Sequence, residues 1–138
     1  MKSKLILTCV MVAILLSLLG CSWGASVNVS CDEFYEQQHI SKEVEVAAGD
    51  SFTVTLCSNP TTGFEWEPAR ISDQAVFQET DHEFVPSQAK GVEGAPGKEV
   101  WTFKALKKGT STVSMEYSRP WAGGEKGAWT FVLTIIVK

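Results

Sequence analysis

The sequence predicts an all-β domain, an immunoglobulin-like antiparallel β-sandwich of about seven strands. From Val44 onward, apolar and polar residues alternate in short runs, which is the pattern of half-buried strands. Turn residues separate these runs, and hardly any segment keeps a helical period over ten residues. A closed barrel has the same periodicity and is the alternative fold.

The N-terminal segment has the layout of an export signal. Two lysines precede an apolar run over residues 5–19, which is shorter than the roughly 20 apolar residues that a membrane span needs. The run ends in Leu-Leu-Gly-Cys, residues 18–21, which resembles the lipobox of exported lipoproteins. We therefore expect a signal peptide over residues 1–20 and lipidation of Cys21. Cleavage of an ordinary signal near Ala25 is the alternative.

A single domain follows this signal. We expect residues 21–40 to be an N-terminal spacer and residues 41–138 to form the folded domain, because the 118 residues left after cleavage fit one core. Without the two signal lysines, 10 basic residues remain against 16 acidic ones, which gives a net charge near −6. A domain this acidic, with no basic stripe, is poorly suited to nucleic acid.

The first strands are recognised by their alternation. Residues 44–46 alternate Val with Glu, and residues 52–57 place large apolar side chains on one face and mainly Thr on the other. Phe64 and Trp66 share the apolar face of the next run, so we expect Trp66 in the core. Pro68 ends that run, because proline cannot donate to a strand ladder.

Later strand signals differ in strength. Residues 75–79 and 82–85 resemble short or edge strands, and residues 86–98 are too rich in Gly, Pro and polar residues for regular structure. The last run, residues 129–137, carries large apolar side chains on both faces, so we expect it to be a central strand. Two further runs lie between these segments, at residues 99–106 and 113–117.

A first loop, residues 59–64, joins two of these strands. Pro60 fixes φ at about −65° and Gly63 permits positive φ, which together predict a stiff, turned tip with two threonines at its apex. A rigid loop loses little conformational entropy when it binds. An ordinary turn stabilised by Asn59 is the structural alternative. The residues of the loop are Asn59, Pro60, Thr61, Thr62, Gly63 and Phe64.

A middle loop, residues 91–97, contains three glycines and a proline. The side chains of residues 94–97 are small enough for main-chain amides and carbonyls to approach the backbone of a partner, as in strand-like pairing at the edge of a groove. A mobile linker without a partner is the alternative. We expect the contact with a partner to involve Gly94, Ala95, Pro96 and Gly97.

A third loop consists of Arg119, Pro120 and Trp121. A tryptophan between a proline and Ala-Gly-Gly is hard to bury in a sheet, and exposed Trp and Arg are typical of binding surfaces. The alternative is that Trp121 rests on the surface of its own domain. Arg119 then stacks on Trp121 or pairs with an acidic neighbour.

Residues for catalysis are scarce. His39 and His82 are the two histidines, several strands apart and outside any zinc-binding motif, so we expect no metal, no cofactor and no enzymatic activity. Cys57 with His82 is a conceivable thiol and base pair, but nothing nearby supplies an oxyanion hole. Export permits a disulfide between Cys31 and Cys57, and a buried free Cys57 is the alternative.

The three loops, in this order, resemble the chagasin family of cysteine protease inhibitors. That family shares an N-P-T-T-G-F/Y loop, a Gly-rich middle loop and an R-P-W loop, and the likeness extends over roughly residues 43–137. The resemblance implies an immunoglobulin-like sandwich whose loops lie side by side at one end as a wedge. It also implies reversible, non-covalent, competitive inhibition of papain-like cysteine proteases, with the three loops inserted into the active-site cleft.

The resemblance assigns a role to each loop. Residues 61–63 would cover the catalytic thiolate and histidine of the protease. Residues 94–97 would run along the unprimed side of the cleft. Arg119 and Trp121 would rest on the primed side, with Trp121 against an aromatic side chain of the enzyme.

The sequence departs from the family pattern in four places. Pro96 removes one backbone donor from the middle loop, and residues 122–127 form a glycine-rich tail that we expect to be flexible. Cys31 and Cys57 lie outside the general inhibitory apparatus of the family. Residues 22–40 have no counterpart in the pattern and suit a spacer from a lipid anchor.

A second functional hypothesis uses the same surface differently. A surface immunoglobulin-like binding module would hold a peptide, a glycan or a neighbouring envelope protein with the three loops. In either case we expect an exported monomer, lipid-anchored at the cell surface or secreted, that contacts a membrane only through the anchor.

Overall fold

The structure is a computed structural model that describes residues 24–138. The expected signal peptide over residues 1–20 and the expected lipidation site, Cys21, lie outside the described residues. Between residues 24 and 138, no helix is long and apolar enough to cross a membrane.

The described chain forms nine strands, one α-helix and one turn of 3-10 helix. Helix α1 spans Cys31–Glu36, and the 3-10 turn spans Pro60–Thr62. The strands are β1 (Ser26–Val29), β2 (His39–Val46), β3 (Ser51–Ser58), β4 (Glu65–Trp66), β5 (Arg70–Ile71), β6 (Phe77–Val85), β7 (Gly97–Ala105), β8 (Gly109–Ser118) and β9 (Trp129–Val137).

The strands make two sheets that pack face to face, which confirms the predicted sandwich. One sheet has the order β1-β3-β7-β6, and the other has the order β2-β9-β8-β4, with β5 also paired to β8. Strand β9 lies between β2 and β8, so the prediction of a central strand is confirmed. Large apolar side chains from both sheets fill the space between them, and Trp66 is among them, 6% exposed.

Two details of the predicted sandwich are wrong. There are nine strands instead of about seven, and the sheets are mixed, because β1 pairs in parallel with β3 and β2 pairs in parallel with β9. The parallel pairs arise because α1 carries the chain from one sheet to the other. No hairpin therefore fixes the direction in which β1 and β2 meet their neighbours.

Strand β6 replaces two shorter predicted strands at residues 75–79 and 82–85. Its pairing with β7 shifts register between Glu79 and Asp81, at a bulge. The bulge interrupts the two-residue alternation, which is why the sequence pattern separates one strand into two.

Most of the expected spacer, residues 21–40, belongs to the folded domain. Val29, Phe34 and Ile40 are core residues, so the spacer prediction is wrong from β1 onward. The helix starts at a capping box, in which the Ser30 N–H donates to the Glu33 carboxylate at 2.8 Å. This bond lowers the pKa of Glu33. A four-residue strand and a six-residue helix are too short for periodicity to reveal them.

The loops lie together at one end of the sandwich, here called the loop end. The register pairs Ser58 at the end of β3 with Gly97 at the start of β7, and Ser118 at the end of β8 with Glu65 in β4. The first, middle and third loops therefore leave the sheets at the same level. Helix α1 also lies at this end, because a disulfide joins Cys31 to Cys57.

We expect loss of this disulfide to destabilise the domain. Replacing both residues, Cys31→Ala with Cys57→Ala, should lower the free energy of unfolding by about 3 kcal/mol, because the bridge closes a long loop in the unfolded chain. Urea unfolding of residues 22–138 without reductant measures the change. The wild-type protein with reductant is the control and should match the variant. Equal midpoints for the variant and the oxidised wild type would contradict the prediction.

Candidate functional site

The first loop is a closed turn. The Gly63 N–H donates to the Pro60 carbonyl at 3.0 Å, and the Thr62 N–H donates to the Asn59 carbonyl at 3.2 Å. Gly63 has a φ of 82°, a conformation that glycine adopts without the steric cost of a side chain. The turn is therefore fixed from both ends, by the ring of Pro60 and by the left-handed Gly63.

Asn59 joins the first loop to the middle loop. Its side-chain oxygen accepts a hydrogen bond from the Thr61 hydroxyl at 2.6 Å, and its carbonyl accepts one from the Thr62 hydroxyl at 2.7 Å. Its side-chain amide donates to the carbonyl of Gly94 at 3.0 Å. Asn59 thus stabilises the turn, as the structural alternative for this loop has it, and the same side chain joins the first loop to the middle loop.

Arg119 joins the third loop to the first. Its guanidinium donates through Nε and Nη2 to the Thr62 carbonyl, each at 3.3 Å. The same group lies 4.4 Å from the ring centroid of Phe64 and 5.9 Å from that of Trp121. Arg119 thus contacts both rings but is closer to Phe64, in a cation-π arrangement. Pro60 and Pro120 are both exposed at the surface beside these contacts.

Trp121 leans on the first loop and keeps much of its ring in solvent. A Cβ atom added to Gly63 would lie only 2.6 Å from Cη2 of Trp121, so the indole packs against the bare backbone of the turn. The side chain is still 53% exposed. Trp121 therefore both rests on its own domain and presents an apolar surface, which combines the two alternatives that the sequence allows.

The connection after Trp121 is folded back and not extended as a flexible tail. The Arg119 N–H donates to the Glu125 carbonyl at 2.8 Å, and the Gly124 N–H donates to the Trp121 carbonyl at 3.0 Å. The ammonium of Lys126 donates to the carbonyls of Arg119 and Trp121. These bonds hold the tip in one conformation, and the glycine-rich sequence alone does not reveal them.

The middle loop exposes Gly94 and Pro96, two of its four predicted contact residues. Gly94, with a φ of 74°, lies close to the Thr61 hydroxyl, and Pro96 is exposed. Ala95 is half-buried. Gly97 lies inside β7, where a Cβ atom would overlap the carbonyl of Val85, so its missing side chain serves the packing of the sheet.

Tyr117, which the sequence places among the core strands only, supports the first loop from below. The Asn59 N–H donates to its phenolic oxygen at 2.7 Å. The Tyr117 ring stacks on Phe64 at 5.4 Å and on Trp129 at 4.8 Å between centroids. Burial raises the pKa of Tyr117 above its ordinary value, so the hydroxyl stays neutral at physiological pH.

The conceivable thiol and base pair does not exist. Cys57 is bonded to Cys31, and Nε2 of His82 lies 2.7 Å from the carboxylate of Glu99. That carboxylate also accepts a hydrogen bond from the Ser58 hydroxyl at 2.7 Å, beneath the first loop. Over residues 24–138, no cluster of three His, Cys, Asp or Glu side chains could hold a metal ion.

We expect removal of the Tyr117 hydroxyl to loosen the first loop. Tyr117→Phe leaves the Asn59 N–H without its acceptor, which should cost about 1 to 2 kcal/mol in urea unfolding and speed hydrogen exchange at the Asn59 amide. Tyr35→Phe is the matched control, because Tyr35 is exposed and its hydroxyl makes no hydrogen bond within the described chain. Equal effects of the two substitutions would show that Tyr117 does not position the loop.

Comparison with known proteins agrees with this geometry. Amoebiasin-2 from Entamoeba histolytica is 26% identical over 114 residues, which cover 78% of this chain and 92% of the relative. Chagasin from Trypanosoma cruzi is 32% identical over 89 residues, which cover 62% of this chain and 79% of chagasin.

Solved structures show the same fold. The cysteine protease inhibitor EhICP2 from Entamoeba histolytica superposes with a TM-score of 0.65 at 23% identity, over 83% of this chain and 96% of that one. PbICP-C, solved in complex with falcipain-2, superposes with a TM-score of 0.60 at 16% identity, over 83% of this chain and all of that one.

A family profile, Chagasin family peptidase inhibitor I42, matches residues 45–135. This segment holds all three loops and every strand from β3 to β8, and it exceeds half of the chain. The family consists of inhibitors and not of enzymes. The chain therefore belongs to the chagasin family of peptidase inhibitors.

Proposed function

We propose that this protein is a reversible, non-covalent, competitive inhibitor of papain-like cysteine proteases that inserts its loop end into the active-site cleft. One observation carries the proposal: the three motif loops, distant in sequence, are hydrogen-bonded into one surface. Asn59 bonds to Gly94 and Arg119 bonds to Thr62. The proposed monomer needs no second chain to complete this surface.

The loops are ordered before a protease arrives. The first and third loops are closed by their own hydrogen bonds, and the side chains of Asn59 and Arg119 join the first loop to the middle loop and the third loop to the first. Association therefore loses little conformational entropy in the inhibitor. An interface of roughly 1,600 Å² with such loops is large enough for tight binding without a covalent bond.

The first loop is a poor substrate for the protease it would cover. Hydrolysis needs an extended peptide whose carbonyl carbon faces the nucleophile in line. Residues 60–62 form a helical turn instead, and the Gly63 N–H and the Thr62 side chain are bonded to backbone carbonyls of the same loop. Straightening this segment would break those bonds and the contact with Arg119. The first loop would therefore cover the catalytic thiolate of the protease without offering it a peptide bond that can be cleaved.

Trp121 supplies the main apolar contact in this proposal. Its ring is fixed on one side by Gly63 and exposed on the other, and such rigid, half-exposed tryptophans often dominate binding energies. We assign Trp121 the primed-side role that the resemblance implies for this loop.

We expect Trp121→Ala to weaken inhibition of papain about a hundredfold, because a buried tryptophan at an interface contributes several kcal/mol. Progress curves with purified residues 22–138 measure the inhibition constant. Leu106→Ala is the control, because Leu106 is also exposed but follows β7 at the opposite end of the sandwich, and this variant should inhibit as the wild type does.

The proposal fails if wild-type protein at micromolar concentration leaves papain fully active. Capture of a peptide, glycan or envelope protein that Trp121→Ala releases would then favour the binding-module hypothesis.

We also propose that the protein is exported and lipidated at Cys21, at the cell surface. Two observations support this proposal. A disulfide between Cys31 and Cys57 suits an oxidising compartment. Gly24 packs against the Ser51 carbonyl at the end of the sandwich opposite the loops, so a tether preceding it would leave the loop end free.

Mass spectrometry of the native N terminus tests lipidation. We expect the mature chain to begin at Cys21 and to carry the mass of attached acyl chains, and Cys21→Ser should abolish that mass. An unmodified N terminus near Ala25 would contradict this proposal and indicate a secreted protein.

A further inference from the structure

We propose that helix α1 adds a fourth contact to the protease-binding surface through the side chain of Tyr35, and that this contact determines which proteases bind most tightly. The inference rests on the proposed function and extends it to a region that the family motifs do not include. It depends on the position of α1, on the support beneath it and on the exposure of one aromatic ring.

Helix α1 is fixed to the loop end by a covalent bond. Its first residue, Cys31, is bonded to Cys57, which precedes Asn59 of the first loop by two residues. The chain then crosses to the second sheet, where the Thr130 N–H donates to the Gln38 carbonyl at 2.9 Å. The helix therefore lies across the same end of the sandwich as the inhibitory loops.

The inner face of α1 is packed on aromatic rings. Phe34 is fully buried and stacks on Trp129 at 4.9 Å between centroids with an angle of 11°, and it lies 5.4 Å from Trp66. Trp129 in turn stacks on Tyr117, the residue that supports the first loop. The helix is thus part of the same aromatic layer as the loops and holds a fixed position relative to them.

Tyr35 is the exposed aromatic residue of this helix. Its ring meets Trp129 edge to face at 5.4 Å, and 71% of the residue is exposed. Its hydroxyl makes no hydrogen bond to any part of the chain between residues 24 and 138. A tyrosine whose ring is oriented and whose hydroxyl is free offers apolar area and one polar group at a low entropic cost, as in antibody binding sites.

Trp129 places Tyr35 on the same side as the third loop. Trp129 is the first residue of β9 and directly follows the connection that carries Arg119 and Trp121. A protease seated on the loops would therefore meet Tyr35 at the rim of the cleft, beyond Trp121. Asp32 and Glu36, both exposed on the same short helix, favour a rim that combines an apolar patch with Lys or Arg.

Selectivity is the expected role, because α1 lies outside the segment that the family profile matches. The family profile matches residues 45–135, whereas α1 spans Cys31–Glu36. Residues of the first loop would cover the catalytic centre that all papain-like enzymes share. The rim of the cleft differs between these enzymes, so a contact there distinguishes one from another.

Inhibition constants for papain and a lysosomal cathepsin test the inference. With residues 22–138, Tyr35→Ala should weaken inhibition about tenfold for one enzyme and clearly less for the other, mainly through faster dissociation, whereas an equal loss for both would contradict a role in selectivity. Tyr35→Phe should retain most of the affinity, because it keeps the ring. Leu106→Ala, which removes an exposed apolar side chain at the opposite end, should change neither constant by more than about twofold.

The outcomes separate this inference from the proposed function. If the wild type inhibits both enzymes and Tyr35→Ala inhibits each of them as strongly as the wild type does, Tyr35 contributes no contact and only this inference fails. If the wild type inhibits neither, the proposed function fails and this inference fails with it. Urea unfolding of Tyr35→Ala serves as the folding control, and a wild-type midpoint assigns any weaker inhibition to the lost contact.

Discussion

The hydrogen bond from the Asn59 N–H to the buried hydroxyl of Tyr117 is the contact on which the loop end depends. It fixes the start of the first loop to strand β8, and β8 leads directly into the third loop. The Tyr117 ring also stacks on Phe64 and Trp129, and Arg119 lies over the other side of this aromatic group. One core residue thus aligns two loops that are more than fifty positions apart.

This arrangement combines two kinds of rigidity. The sandwich gives each loop a fixed base through its strand ladders, and side chains between the loops set the distances at their tips. The disulfide and α1 add a third source of rigidity, because Cys31 ties the helix to the end of β3 and Phe34 stacks on Trp129 of the aromatic layer. A surface held in this way can be shaped for a partner in advance, without relying on the partner to order it.

The sequence predicted the parts of this structure that depend on local pattern. Alternation identified the long strands and the central position of β9, and the Pro60 and Gly63 pair predicted a fixed turn. It did not reveal β1 or α1, which are too short for periodicity, or the folded connection after Trp121, which depends on Lys126. The sequence also did not reveal the support from Tyr117, because the Asn59 N–H that its hydroxyl accepts from lies on a distant part of the chain.

The side chains that join the loops are largely occupied by that task. Asn59 and Arg119 direct their donors to carbonyls of the protein itself, so the first loop offers an enzyme mainly main-chain atoms and short hydroxyl side chains. Such a loop recognises the shape of the catalytic centre that papain-like enzymes share, and it contacts few side chains that differ between them. A target that evolved to escape it would have to alter the cleft it needs for its own turnover, and resistance would come at the expense of activity.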